Sequence, residues 1–192
     1  MFCSRTAVKL GAHPSYPDPE GFGRRSPLEA TLAPDVTRLS EIAALVSRAV
    51  GEQCRALADV ARRRGVAVVA VKPHGALYHD ATSRPEIAAA VLDAAVDALG
   101  RGVTVIGPPS GALCDEAAKR RLLYAREGFA DRRTHADGSL VRRSEPDALI
   151  VDPDEAAAQA VRLAPAIDTI CIHGDTPGAA AIARAVREAL RA

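Results

Sequence analysis

The chain has 192 residues, 25 basic against 24 acidic side chains, and a formal net charge of +1. A balance this close leaves no charged field for nucleic acid or anionic membrane, and no run approaches the roughly 20 apolar residues of a membrane span. At 48% hydrophobic and 26% charged, the composition is that of a single globular domain over residues 1–192 with small-molecule chemistry as its task.

The start, Met1-Phe2-Cys3-Ser4-Arg5, lacks the apolar stretch of a signal peptide, which predicts a cytoplasmic location. Cys3, Cys54, Cys114 and Cys171 are spread singly with no C-x-x-C pair. They read as reduced, mostly buried thiols.

Apolar runs of strand length alternate with segments of helical period, the pattern of an α/β fold whose parallel strands are covered by helices. In chain order the strands are expected at 7–11, 66–72, 103–107, 122–126 and 168–172. The helices are expected at 36–64, as one long or two consecutive helices, and at 85–99, 111–121, 153–164 and 177–190. Ser83 and Glu86 have the spacing of a capping box, and Thr176-Pro177 has the residues of a helix start. Gly65 and Gly100 stand just past helical runs, where a left-handed residue ends a helix. The polar stretch 24–34 reads as a loop.

Ligands of parallel α/β folds sit at the carboxyl ends of the strands. Three clusters fall there: His13-Pro14-Ser15-Tyr16-Pro17-Asp18, Lys72-Pro73-His74-Gly75 and His173-Gly174-Asp175. Only three of the 25 basic residues are lysines, which makes Lys72 in a histidine-containing turn notable. It can hold a phosphate or neutralise developing charge, and His13, His74, His173 and Asp175 can transfer protons or bind a metal. Gly21-Phe22-Gly23-Arg24-Arg25 adds a flexible basic loop, and Glu127-Gly128-Phe129-Ala130-Asp131-Arg132 adds carboxylates and a guanidinium. Taken singly, each segment also reads as an ordinary surface turn, with Asp131 and Arg132 as exposed loop ion pairs.

In order along the chain, these segments resemble the LamB/YcsF family. The resemblance rests on Gly11 to Asp18 with Gly21 to Arg24, on Val71 to Tyr78, on Phe129 to Arg132 with Gly138 to Val141, and on Ile172 to Asp175. It implies a seven-stranded (βα) barrel of the glycoside hydrolase/deacetylase type. It also implies one component of an ATP-dependent 5-oxoprolinase, which opens the lactam of 5-oxo-L-proline to L-glutamate together with other subunits. ATP is then a co-substrate, and a divalent metal stays open. His13, Lys72, His74, Asp131, His173 and Asp175 are the catalytic candidates. Arg24, Tyr78 and Arg132 are the candidates for substrate or ATP contacts, and which group is the base stays open.

The family pattern also has an Asp-Leu-Asn strand and a strand ending in Cys-Gly-Phe-His-Ala-Gly-Asp before the first cluster. This chain starts about ten residues before His13 and contains neither. The expectation is a barrel lacking its first two strands, with a start codon assigned too far downstream as the favoured reason over a true fragment or a degenerate protein. Ala70, His79 and Thr134 stand where the family usually has histidine, asparagine and a nearby tyrosine, and the stretch between Arg25 and Gln53 is longer than usual. Two other functions compete: a metal-dependent deacetylase-like hydrolase, for which the H-x-x-x-H spacing is missing, and a noncatalytic binding or assembly subunit.

Overall fold

The computed structural model describes residues 3, 6–29, 35–135, 139–141, 143 and 145–191. Gly138, part of the family pattern, lies outside the described residues, as do positions 1, 2, 4 and 5 of the amino terminus and positions 30–34 of the expected loop. The chain forms two compact units, 1–125 and 126–192.

The first unit contains strands β1 (Leu10–Ala12), β2 (Val68–Val71) and β3 (Thr104–Gly107), and helices α1 (Val36–Arg62), α2 (Ala76–Ser83), α3 (Pro85–Leu99) and α4 (Ala112–Lys119). β1 pairs with β2, and β2 with β3, all in parallel. Parallel neighbours need crossover connections, and α1 and α3 supply them. Ile42, Val46, Val50 and Cys54 recur at helical spacing on the buried stripe of α1, and Ile87, Val91, Leu92 and Ala95 do so on α3. These stripes pack together with Val71, Leu77, Val105 and Leu113 in one core. Truncating a fully buried member such as Leu92 to alanine costs about 2–5 kcal/mol.

The second unit contains strand β4 (Leu123–Phe129), whose first residues belong to the first unit, then helix α5 (Pro153–Leu163), a single 3-10 turn (Ala164–Ala166), strand β5 (Thr169–Cys171) and helix α6 (Ala179–Ala189). β4 and β5 are parallel, with Glu127 opposite Thr169 and Phe129 opposite Cys171. Asp168 fixes the entry to β5 by accepting from the Arg126 backbone N–H at 2.9 Å and from its guanidinium at 2.8 and 3.0 Å. Ala156, Ala157 and Ala160 keep α5 slim enough for α6 to pack close through Ile182 and Val186.

All five expected strands form, with shifted ends. β1 begins at Leu10 rather than at position 7, because residues 7–9 are exposed and only Leu10 to Ala12 meet β2. β4 continues past position 126 through Phe129, because Glu127 to Phe129 pair with β5. Gly65 and Gly100 carry positive φ of 66° and 87° just past α1 and α3, although Gly100, with ψ of 163°, is extended rather than left-handed helical.

Both expected helix caps are corrected. Arg84, with no side-chain cap hydrogen bond, is the N-cap of α3. Ser83 belongs to the preceding helix, and its hydroxyl turns back to the carbonyls of His79 and Asp80. That helix, α2, is an addition to the elements expected from the sequence. Gly178, not Thr176, precedes α6, and the Thr176 hydroxyl is used elsewhere. The four cysteines form no disulfide, but the expectation of mostly buried thiols is corrected: Cys54 is buried, and Cys3, Cys114 and Cys171 are partly exposed.

Candidate functional site

In the first unit the parallel register sets Ala12 opposite Val71, so His13 and Lys72 leave the sheet at the same end. The ladder continues past the strands, with Lys72 N–H donating to Ala12 O at 2.9 Å and His74 N–H to Pro14 O at 2.8 Å. His13 Nδ1 lies 2.7 Å from Lys72 O, His13 Nε2 lies 3.0 Å from His74 Nδ1, and His74 Nε2 lies 2.9 Å from Phe22 O. The two imidazoles meet edge to face at 4.8 Å, and the Phe22 ring meets His74 the same way at 5.2 Å.

Local geometry holds this arrangement. Asp18 closes the 18–25 turn by accepting from Gly21 N–H at 2.8 Å, while its carbonyl accepts from Gly23 N–H at 2.9 Å. Phe22, a bulky residue, sits at φ 54°, in the left-handed region that disfavours such a side chain. Strain of this kind costs on the order of 1–3 kcal/mol and persists where surrounding structure enforces it. Here the enforced backbone aims the Phe22 carbonyl at His74. Gly75 is required by contact: a Cβ on it would lie 2.4 Å from Gly23 O, which accepts from Ala76 N–H.

Gln53 of α1 grips the first cluster from the side. It accepts from Ser15 N–H at 3.1 Å and donates to Ser15 O at 2.8 Å. Tyr16 O–H and Ser26 O–H both donate to Asp80 Oδ2, at 2.7 and 2.5 Å. Burial first, then the hydrogen bond and charge of Asp80, push the Tyr16 phenol well above its ordinary value, so it stays a donor. His13, Ser15, Tyr16, Asp18, Phe22, Gln53 and His74 are among the residues that line an open pocket of about 420 Å³. Lys72 and Arg24 are held by aromatic faces, Lys72 Nζ 6.0 Å from the Tyr78 ring and the Arg24 guanidinium 5.3 Å from the Phe22 ring.

In the second unit Asp131 is fully buried just beyond β4. It accepts from His173 N–H at 2.8 Å, from His173 Nδ1 at 3.0 Å and from the Thr176 hydroxyl at 2.6 Å. Burial opposes its ionisation, but the hydrogen bonds from His173 and Thr176 outweigh burial and hold the carboxyl below its ordinary value. With Nδ1–H committed to Asp131, the neutral ring keeps its lone pair on Nε2, the orientation a proton acceptor needs. The Phe129 ring stacks on His173 at 5.7 Å, and Gln159 of α5 anchors the turn by donating to Phe129 O at 2.6 Å and Arg132 O at 2.8 Å.

The structure therefore joins His13 to His74 in one unit and Asp131 to His173 in the other. Asp175 stands in a two-pronged ion pair with Arg143, at 2.6 and 2.9 Å. Asp131 and Arg132 are not exposed loop charges. Both are buried, and Arg132 donates to the Val141 carbonyl. Glu127 is likewise buried within β4 rather than following it. The sequence reading missed Thr176, Gln53, Ser26 and Asp80. Thr176 directly follows His173-Gly174-Asp175, a signal assigned to capping instead, while the other three carry no local signal.

Among the described residues no three His, Cys, Asp or Glu side chains gather as metal ligands would. Both ring nitrogens of His13 and of His74 are already committed. The described donors do not form a metal centre. No helix among the described residues is long and apolar enough to cross a membrane.

Parallel strands carrying an Asp-supported histidine define an α/β protein with acid-base equipment at its strand ends. The LamB/YcsF family model matches residues 1–192, and the chain belongs to that family. It is 43% identical over 96% of its length to the 5-oxoprolinase A subunit of Methylococcus capsulatus, covering 72% of that protein. A second 5-oxoprolinase A subunit, from Chloroflexus aggregans, is 41% identical over 99% of the chain and is covered to 76%. The crystal structure of the lactam utilization protein from Thermus thermophilus superposes with a TM-score of 0.79 at 35% identity, over 98% of this chain and 75% of that one.

Proposed function

We propose that this chain is one component of an ATP-dependent 5-oxoprolinase, a cytoplasmic complex that opens the lactam of 5-oxo-L-proline to L-glutamate at the expense of ATP hydrolysis. The observation that carries the reading is the likeness, over at least 96% of the chain, to relatives that bear the name of the 5-oxoprolinase A subunit. A protein named as one subunit acts with others, so further subunits are its partners. In the same reading the parallel strands belong to a seven-stranded (βα) barrel.

The chemistry gives the residues their work. A lactam is a resonance-stabilised amide, and transfer of a phosphoryl group from ATP to its oxygen would activate the ring carbon toward water. His173 takes the water proton on Nε2, with Asp131 stabilising the imidazolium that forms and Thr176 holding Asp131 in place. Within the first unit, Lys72 and Arg24 are cations of the kind that hold phosphate. Arg132, buried against the Val141 carbonyl, supports the turn that carries Asp131.

The test is ADP release with the partner subunits present. His173→Ala should lower the 5-oxo-L-proline-dependent rate by about 10²–10⁴-fold. Lys72→Ala should raise the KM for ATP. Unchanged rates in a correctly assembled His173→Ala complex would overturn the role given to His173.

A further inference from the structure

His13 and His74 set four ring nitrogens in a row between two backbone carbonyls. The outer nitrogens, His13 Nδ1 at 2.7 Å from Lys72 O and His74 Nε2 at 2.9 Å from Phe22 O, face oxygens that bring no hydrogen. Each must therefore carry an N–H. A neutral imidazole has only one N–H, so two neutral rings would point lone pairs at each other from His13 Nε2 and His74 Nδ1, 3.0 Å apart. A third proton turns that repulsive contact into an N–H···N hydrogen bond. We propose that His13 and His74 hold this proton jointly, as one imidazole–imidazolium cation, and that the pocket it walls takes the carboxylate of an anionic ligand.

The surrounding charges are compatible with a cation here. Asp18, which lines the same pocket, brings a carboxylate whose oxygens accept from the Gly21 and Arg25 backbone N–H groups at 2.8 and 3.4 Å. Tyr16 stays a neutral donor to Asp80, with Arg84 acting on it from the start of α3. Lys72 and Arg24, which oppose an added proton, lie over the rings of Tyr78 and Phe22, and Arg25 stands 4.0 Å from Glu20. From α1 the pocket receives the uncharged Gln53. Hydrogen-bond geometry thus calls for the third proton, and Asp18 offsets part of the cost of the charge.

The choice of carboxylate rests on the 5-oxoprolinase reading, since 5-oxo-L-proline joins a carboxylate to a neutral lactam; the shared proton does not. The fold ties the cation to the loop that lines the pocket, because loss of the proton breaks one link of the chain from Lys72 through both rings to Phe22.

Side-chain nitrogen NMR on the full chain with labelled histidine, titrated from about pH 5 to about pH 9, tests this around the ordinary histidine value of about 6.5. The two rings should lose the shared proton in one coupled step. His74→Asn should remove the coupling and leave His13 titrating as a single ring. An anion bound beside the pair favours its charged form, so 5-oxo-L-proline should raise the midpoint while neutral 2-pyrrolidone leaves it in place. Two rings that titrate independently, each neutral near pH 7, would overturn the shared proton. A midpoint moved by inorganic phosphate but not by 5-oxo-L-proline would overturn the carboxylate assignment. Coupled titration in a chain whose assembled complex shows no 5-oxo-L-proline-dependent ATP hydrolysis would uphold the shared proton and overturn the functional reading together with the carboxylate assignment that rests on it.

Discussion

The Thr176 hydroxyl donates to Asp131 Oδ2 at 2.6 Å, with both residues buried. A carboxylate taken out of water persists only when hydrogen bonds replace its hydration, and this bond is one of three that do so. The bond turns an acidic loop residue into a fixed support for His173.

Thr176→Val keeps the shape and deletes the donor, so it should destabilise the protein by about 1–3 kcal/mol in urea unfolding at neutral pH, while Thr176→Ser should stay close to the parent. The sign with pH follows from the lowered Asp131 carboxyl. Its contribution is fully present above the unfolded carboxylate value of about 3.9 and is lost as pH falls through the lower folded value. The gap between parent and Thr176→Val should therefore narrow in acid.

Gly75 and Gly65 have nearly the same φ, 60° and 66°, yet differ in surroundings. A Cβ on Gly75 would strike Gly23 O at 2.4 Å, whereas a Cβ on Gly65 meets nothing within 4 Å. Gly65→Ala should cost about 1–2 kcal/mol, the left-handed penalty alone. Gly75→Ala adds overpacking, typically about 1–3 kcal/mol more, and should shift the His13 and His74 ring signals as the loop moves. Denaturant midpoints of the two variants check the difference.

Asp168 is held at about 2 by hydrogen bonds from the Arg126 guanidinium and backbone N–H. Carboxyl NMR should find it titrating there, and Arg126→Gln should return it toward the ordinary 3.8. Its contribution to stability is present above that ordinary value and disappears as pH falls through about 2. Both side chains are nearly half exposed, so the effect on overall stability at neutral pH should be small.

Cys54 is fully buried, and burial pushes its thiol up to about 11 against a small opposing effect of Arg55. Alkylation near pH 8 should leave Cys54 unlabelled in the native protein and label it on unfolding. Mass spectrometry of the peptides would show this directly.

Much of the fold was legible because local chemistry and tertiary structure agree. The buried stripes of α1 and α3 repeat at helical spacing, and Gly65 and Gly100 stop those helices where expected. The exceptions are residues that the site recruited for long-range bonds. Thr176 has the credentials of a helix cap but is drawn to Asp131, 45 residues earlier in the chain. Asp80 lies on a short helix without a strong periodic signal, and its partners Tyr16 and Ser26 are more than 50 positions away. The histidines were visible as strand-end residues, but which ring meets which was not. That depends on β1–β2 register and on the Phe22 backbone, neither of which is written in a tripeptide.

Lactam opening coupled to ATP is tested most directly by ADP and L-glutamate formation. The measurement uses the complex reconstituted from this full chain and its partner subunits, with and without 5-oxo-L-proline. ATP hydrolysis should require 5-oxo-L-proline, yield glutamate alongside ADP, and stop when this chain is left out. ATP hydrolysis indifferent to 5-oxo-L-proline, or glutamate formed equally well without this chain, would contradict that role.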